Sequence, residues 1–223
     1  MKLLAIELHR ILTEASYFAH ADSNLPSIAV VRLEYVGATA HNGTPVDSLI
    51  AAATDRFTIG VSRTKLHKAE RGEKRTPFAV SIPIDAVKRM LPIAKTLRRD
   101  GPHRLCTITV DPKAAAITFA FTTGETITVA TASDPFPGWR HLLTPRGDGA
   151  LSAELRGYNG RYLARFAKIA ESERMWVVTP TKVAPTVVSI GDNFVGLIMP
   201  IRPTDDQHRT YEPPAWAIAE AKS

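Results

Sequence analysis

Four kinds of side chain in this 223-residue sequence could do chemistry, and three of them lead nowhere. The seven histidines are scattered, with no HExxH or CxxC spacing, so no metal site is expected. The single cysteine, Cys106, opens the alternating run "RLCTITV". His103 lies close by in sequence, but a thiol buried in a strand is an inert small apolar group rather than a nucleophile. One cysteine also forms no internal disulfide. The one paired-carboxylate candidate is "TDD" at 204–206, in a polar stretch where solvated charge is the simpler reading than a nuclease metal pair. The expectation is a protein without catalytic residues, cofactor or metal.

Positive charge is the fourth kind. Lys and Arg exceed Asp and Glu by 28 to 22, a net charge of +6 that favours an anionic partner only mildly, so placement matters more than the sum. Arg161, Arg165 and Lys168 follow the spacing i, i+4, i+7 and share one helical face, with Tyr162, Leu163, Phe166 and Ile169 opposite. A second helical stretch offers Lys88, Arg89, Lys95, Arg98 and Arg99, offset only by Asp85 and Asp100. A third offers Arg10, between His9 and His20, against Glu7 and Glu14. Basic helices on a common surface would cradle phosphates without reading base sequence. The lack of an aromatic-rich platform favours duplex over single strands. A solvated helix face accounts for each stripe singly.

A second candidate lies at residues 193–203, "NFVGLIMPIRP". This apolar run stops on Met199, Pro200, Ile201 and Arg202. An adaptable thioether, a rigid imino acid and a guanidinium suit either a capped strand end or one wall of a binding site.

The elements that must position these residues fall into three stretches with one order. The first pairs helical "AIELHRILTEASYFAH", with Leu4, Leu8, Ile11, Leu12, Ala15 and Phe18 at helical spacing, with strand-like "IAVVRLEYV", "SLIAAATD" and "FTIGVS". The second has "FAVSIP", a helix from Ile84 that Pro92 must end or bend, then "RLCTITV", "AAITFAFTT" and "ETITVATA". The third has "ALSAELR", a helix with Asn159 as N-cap, then "RMWVVTP", "PTVVSIG" and "NFVGLIMP". The expectation is an α+β fold of three βαβββ modules. Outside the modules lie a basic connection at 63–77, expected to be exposed, and the tail from Pro203.

An apolar fraction of 44% with 22% charged residues is ordinary for a soluble globular chain. No apolar stretch reaches the roughly 20 residues that cross a bilayer, and "MKLLAIELHR" meets charge too soon for a secretory core. A cytoplasmic location is expected.

Specific runs then point to a family. "LIAAATDRFTIGVS" resembles the Ala-Thr-Asp-Gly-His-Arg-Leu signature of the bacterial DNA polymerase III β sliding clamp (DnaN type), and "ASDPFPGWRHLL" its Phe-Pro-x-Tyr-Arg run. "GYNGRYLARFAKI" is similar to its Asn-x-x-Tyr-Leu helix start, and "NFVGLIMPIRP" to its closing Tyr-x-x-Met-Pro-Met-Arg. The four stand in the family's order over residues 5–202. The resemblance implies the clamp fold of repeated βαβββ half-domains, with antiparallel sheets outside and helices on the DNA-facing side. It implies a non-enzymatic processivity factor that holds duplex DNA and assembles as a homo-oligomeric ring in a bacterial, or phage-infected bacterial, cytoplasm. It further implies a pocket for short motifs of the replicative polymerase and clamp loader, here Thr54, Asp55, Phe57 and Ile59, then Pro137, Trp139, His141 and Leu142, then Met199, Pro200, Ile201 and Arg202.

The departures shape the expectation. Arg56, Phe57 and Thr58 replace the signature's Gly-His-Arg, and three half-domains stand where family chains have six. Residues 1–144 are read as a clamp-like domain of two half-domains (1–66 and 77–144), 145–203 as a third half-domain and 204–223 as a tail. A ring of twelve half-domains would then need four chains, as a shortened phage- or plasmid-type clamp. The alternative is a clamp-like regulatory or recruitment module that binds partner peptides without encircling DNA. Trp216 and Ile218 of the tail would serve as an internal ligand for the pocket.

Overall fold

The computed structural model of the chain describes residues 1–41, 44–67, 73, 75–99, 104–143, 156–171, 173–179 and 184–201; side chains at 38–41, 44–46, 97–99 and 143 are left aside. Its elements are β1 Lys2–Leu4, α1 Ala5–Ser16, β2 Val30–Tyr35, β3 Ala38–His41, β4 Thr44–Thr54 and β5 Thr58–Lys65. Then follow β6 Phe78–Pro83, α2 Ile84–Arg99, β7 Leu105–Asp111, β8 Ala116–Phe121 and β9 Thr126–Ala130. After the short α3, Arg140–Leu143, come α4 Gly160–Ala167, β10 Met175–Val178, β11 Thr186–Ile190 and β12 Phe194–Ile198. The class is α+β with antiparallel sheets, as the residue pattern predicts.

Local sequence explains most elements. In α1 the positions Leu8, Ile11, Leu12 and Ala15 all turn inward, the stripe expected of an amphipathic helix. Along β8 burial alternates, with Ile117, Phe119 and Phe121 inward. Asn159 caps α4, its side-chain oxygen accepting from the Arg161 amide at 2.9 Å. Gly124 takes φ +102 in the turn between β8 and β9. Pro92 does not end α2, which continues through it to Arg99.

Several local expectations give way. Leu4 is not helical but closes β1, a strand of three residues, too short to leave a periodicity. A short strand that the residue pattern did not predict, β3, pairs with the start of β4. Within the basic connection, Arg63–Lys65 belong to β5, and the Leu66 amide bonds to Asp47 O. Arg75 is nearly buried, bound to Asp47 at 2.9 Å and to Glu73. Arg75 is thus anchored rather than exposed, because the Asp47 and Glu73 carboxylates draw its guanidinium in, whereas Lys65 and His67 are exposed. Most of "ALSAELR", Arg202 and the tail lie outside the described residues.

The strands form two sheets, ordered β1-β7-β8-β9 and β10-β11-β12-β5-β4-β2-β6, with β3 paired to β4. The first strands of the first two modules are exchanged. Leu3 of β1 pairs with Cys106 of β7, and Ile82 of β6 pairs with Val31 of β2. Helix α1 packs along α2 and touches strands of both sheets. The third module joins by β12, antiparallel to β5, with Gly196 opposite Gly60. Phe18 and Phe166 fill the space over those glycines, ring centroids 4.9 Å apart, and Phe194 completes the cluster. A Cβ at position 196 would lie 2.5 Å from the Phe166 ring and 2.6 Å from Ile59 O, and backbone cannot swing aside.

Gly196→Ala is therefore expected to lower stability by about 1–3 kcal/mol through overpacking. Urea unfolding of the variant beside the parent checks this, and an unchanged midpoint would refute it.

Candidate functional site

The turn between β4 and β5 is built around a buried carboxylate. Asp55 Oδ1 accepts from the Phe57 amide at 3.1 Å, the Thr58 amide at 2.8 Å and Thr58 Oγ1 at 2.9 Å. Thr54 Oγ1 donates to Thr58 O at 2.8 Å and accepts from the Arg56 amide. From α4, Arg165 reaches across with Nη1 2.6 Å from both Asp55 Oδ2 and Thr58 Oγ1. Arg56 sits at φ +80, a left-handed conformation costing a non-glycine residue about 1 kcal/mol, at the position where the resembled signature carries glycine. The surrounding hydrogen bonds over-determine the turn and hold that strain. Thr54 and Asp55 thus brace the site from behind and do not line it, because both are buried.

The braced turn holds up Phe57, which is 54% exposed and stacked on Tyr162 of α4 at 5.9 Å. Phe57 O accepts from the Met199 amide at 2.9 Å, so the exposed Met199 stands beside it. The next residues, Pro200 and Ile201, continue the patch, with the Ile201 amide bonded to Gly157 O. Arg202, the remaining wall residue, lies outside the described residues.

The second group gathers on the sheet face away from α1. Trp139 is buried against Ala52 and Val61, with Ile50, Ile59, Phe136 and Val195 around it. Its Nε1 has no acceptor among the described residues. Arg140 lies over the Trp139 ring at 4.4 Å and pairs with Glu34. Beside them a depression of about 310 Å³ is lined by Arg32, Glu34 and residues 136–141, Pro137 and His141 among them. Leu142 is exposed on α3. Ile59 links the groups: it lies in β5, two residues after Phe57 of the turn, pairs with Leu197 of β12 and packs on the Trp139 cluster. The sequence reading missed Phe136, Arg32, Glu34 and Tyr162. The alternation of Arg32 and Glu34 along β2 was the available signal that they share one face.

The basic residues divide sharply. Arg10 is not free to meet a phosphate. It binds Glu7 Oε2 at 2.7 Å, Glu14 Oε2 at 3.0 Å and Arg63 O at 2.8 Å. Burial works against its charge, and bonding and attraction from Glu7 and Glu14 outweigh it, leaving its pKa raised. Arg165 is likewise committed, to Asp55 and Thr58, and is not the outward cation that its spacing predicts. Lys88, Arg89 and Lys95 of α2 and Arg161 and Lys168 of α4 are exposed. Lys88 makes an exposed 3.4 Å pair with Asp85, and Lys168 lies over the Tyr17 ring. Arg98 and Arg99 end α2, their side chains outside what is described.

The groups that could do acid, base or metal chemistry give little among the described residues. Burial pushes the Cys106 thiol up to about 12. Among the described residues no group of three or more His, Cys, Asp or Glu could hold a metal ion, and no helix is long and apolar enough to cross a membrane.

No protein family matches the chain by sequence, and no curated protein does. Solved structures do resemble it. The DNA polymerase III beta subunit of Thermotoga maritima superposes with a TM-score of 0.69 at 11% identity, over 92% of this chain and 65% of that one. The DNA polymerase sliding clamp of Bacillus subtilis gives 0.70 at 12%, over 92% and 64%. The DnaN sliding clamp of Bartonella birtlesii, bound to griselimycin, gives 0.69 at 14%, over 91% and 66%. The chain has the sliding-clamp fold and spans 64 to 66% of the length of these structures.

Removing the Arg165 guanidinium leaves the Asp55 carboxylate buried without its partner. Arg165→Met is expected to cost about 2 kcal/mol, whereas Arg161→Met stays within about 0.5 kcal/mol. Thermal melts of the two variants distinguish a brace from a surface cation. Cys106 should resist a thiol reagent in the folded protein and react on unfolding; labelling at the same rate in both states would refute its burial.

Proposed function

We propose that the chain is a sliding-clamp processivity factor: a non-enzymatic, homo-oligomeric protein that holds duplex DNA through its helices and takes short peptide motifs on its outer sheet face. The observation that carries this reading is the clamp fold itself, covering nine-tenths of the chain, with exposed cations on α2 and α4. Lys88, Arg89, Lys95, Arg161 and Lys168 supply the phosphate contacts, with Arg98 and Arg99 extending the row. The contacts are electrostatic, so binding is indifferent to base sequence and weakens steeply with salt. The peptide surface joins the Phe57, Met199, Pro200 and Ile201 patch to the depression beside Pro137, His141 and Leu142. Exposed apolar groups on braced backbone suit an apolar anchor of a linear motif, at little cost in ordering the receptor. The replicative polymerase and the clamp loader are the partners, in a bacterial or phage-infected bacterial cytoplasm.

A second reading rests on the commitment of Arg10 and Arg165 to carboxylates, which thins the charge available to a duplex. On that reading the protein recruits or regulates a partner through the peptide surface alone.

Fluorescence anisotropy with two unrelated duplexes over a salt series separates them. The clamp reading expects equal affinities, and a salt slope reduced by about 1 for each phosphate contact removed in Lys88→Glu, Arg89→Glu, Arg161→Glu or Lys168→Glu. Unchanged slopes would favour the recruitment reading, and tight preference for one duplex would sink the clamp reading. For the peptide surface, Met199→Glu is expected to weaken a polymerase-derived motif peptide at least tenfold in calorimetry without altering duplex binding.

A further inference from the structure

Arginine–carboxylate contacts among the described residues are balanced or acid-rich in all places but one. Arg10 has two acids, Glu7 and Glu14; Arg75 has Asp47 and Glu73; Arg165 has Asp55 to itself. At the depression on the outer sheet face the ratio is reversed. Arg32 Nε donates to Glu34 Oε1 at 3.3 Å and Arg140 Nη2 donates to Glu34 Oε2, so two guanidiniums share one carboxylate. The rest of the lining, Phe136, Pro137, Gly138, Trp139 and His141, brings no acid. Two cations against one anion leave one positive charge uncompensated.

Donors are in surplus as well. Arg32 Nη1 goes to Ser81 Oγ at 3.3 Å, but Arg140 has no bonded partner besides Glu34 among the described residues, and Trp139 Nε1 has no acceptor there. Glu34 is 8% exposed at its side chain and belongs to the frame, whereas the Arg140 side chain is 53% exposed. Arg140 also lies over the buried Trp139 ring at 4.4 Å, so its guanidinium is positioned before any ligand arrives. A guanidinium placed in this way, beside surplus positive charge in a concavity, suits a carboxylate held by charge-assisted bonds. A lysine or arginine side chain would meet like charge, and an amide would leave the surplus charge uncompensated.

We propose that this depression reads an acidic side chain, Asp or Glu, of the linear motif whose apolar anchor sits on the Phe57 and Met199 patch. The sheet sets the spacing. Arg32 lies opposite Ala52 of β4, and Ala52 opposite Val61 of β5, which is two residues from Ile59 and four from Phe57. Two strand spacings across and two to four residues along separate Arg32 from that end of the patch by roughly 12–16 Å. An extended peptide covers the distance in about four or five residues, which is where the acid stands relative to the anchor. This rests on the peptide-binding part of the clamp reading and names what that surface selects; it is independent of DNA binding.

Calorimetry on the full chain tests it, using acetylated and amidated decapeptides with a Leu-Leu anchor at either end and one Glu or Gln at varied distance. At the stated spacing the Glu peptide is expected to bind about fivefold tighter than its Gln counterpart, as one partly exposed charge-assisted pair allows. At the other spacings the two bind equally. Arg140→Gln should abolish the preference and leave the affinity of the Gln peptides unchanged. Glu34→Gln, which releases both guanidiniums, should enlarge the preference, and it decides the matter should Arg140→Gln fail to fold. If no peptide binds, or if Met199→Glu does not weaken binding, the peptide reading and the inference both fall. If peptides bind through Met199 but Glu and Gln are equal at every spacing, the inference alone falls. It falls equally if the preference survives Arg140→Gln, holds at all spacings, or needs a free C-terminal carboxylate in place of the side chain.

Discussion

Two glycines facing each other across one strand pair hold the molecule together. At Gly60 and Gly196 the sheet has no side chain toward the helices, and Phe18 and Phe166 occupy the space. Phe18 follows the first helix and Phe166 lies in the last, so one aromatic contact joins the two ends of the described chain. With β12 on β5, the eight-stranded sheet can run unbroken from the third module into the first. The same join sets Met199 beside Phe57 and Leu197 opposite Ile59, so the outer patch exists only because the glycines admit the rings. A second tie works in parallel: Arg165 crosses from α4 to the Asp55 turn and fixes the loop that presents Phe57.

Most strands could be read from the residues because alternation is a local property. "FAVSIP" begins and ends where β6 does, and the three closing strands fall within the runs that predict them. What could not be read is non-local. That Lys2–Leu4 form a strand depends on an edge supplied by Leu105–Thr107, and three residues carry no pattern of their own. Helical spacing put Arg161, Arg165 and Lys168 on one face, but it does not say what lies beyond that face. For Arg165 it is a carboxylate from another module, and for Arg10 it is Glu7 and Glu14 on its own helix, with Ser62 behind them. The outer patch was legible in its conspicuous members, Met199 and Pro137. Arg32 and Glu34 stayed hidden, because one face of a strand becomes a site only when another segment, here 136–141, is laid beside it.

Cations in this chain therefore do two kinds of work, and burial sorts them. Those held among carboxylates and hydroxyls stiffen the frame; those on the open sides of α2 and α4 stay exposed to solvent. The division has a physical reason, since a guanidinium paired with a buried acid has little attraction left to offer a phosphate. A fold of this shape can present a basic surface of modest net charge while keeping its working residues rigid.

The exchange of first strands between the first two modules bears on how the protein is made. Lys2–Leu4 leave the ribosome about a hundred residues ahead of their partners, Leu105–Thr107, which emerge only after β6 and α2 have passed. The opening segment must wait, unpaired, while the first sheet assembles around it. Closing the small sheet is then a late, long-range step, of the kind that slows folding because loop entropy is lost before contacts repay it. Neither half of the exchanged pair can reach its final state alone, so the two rise and fall as one cooperative unit however separable their sequences look.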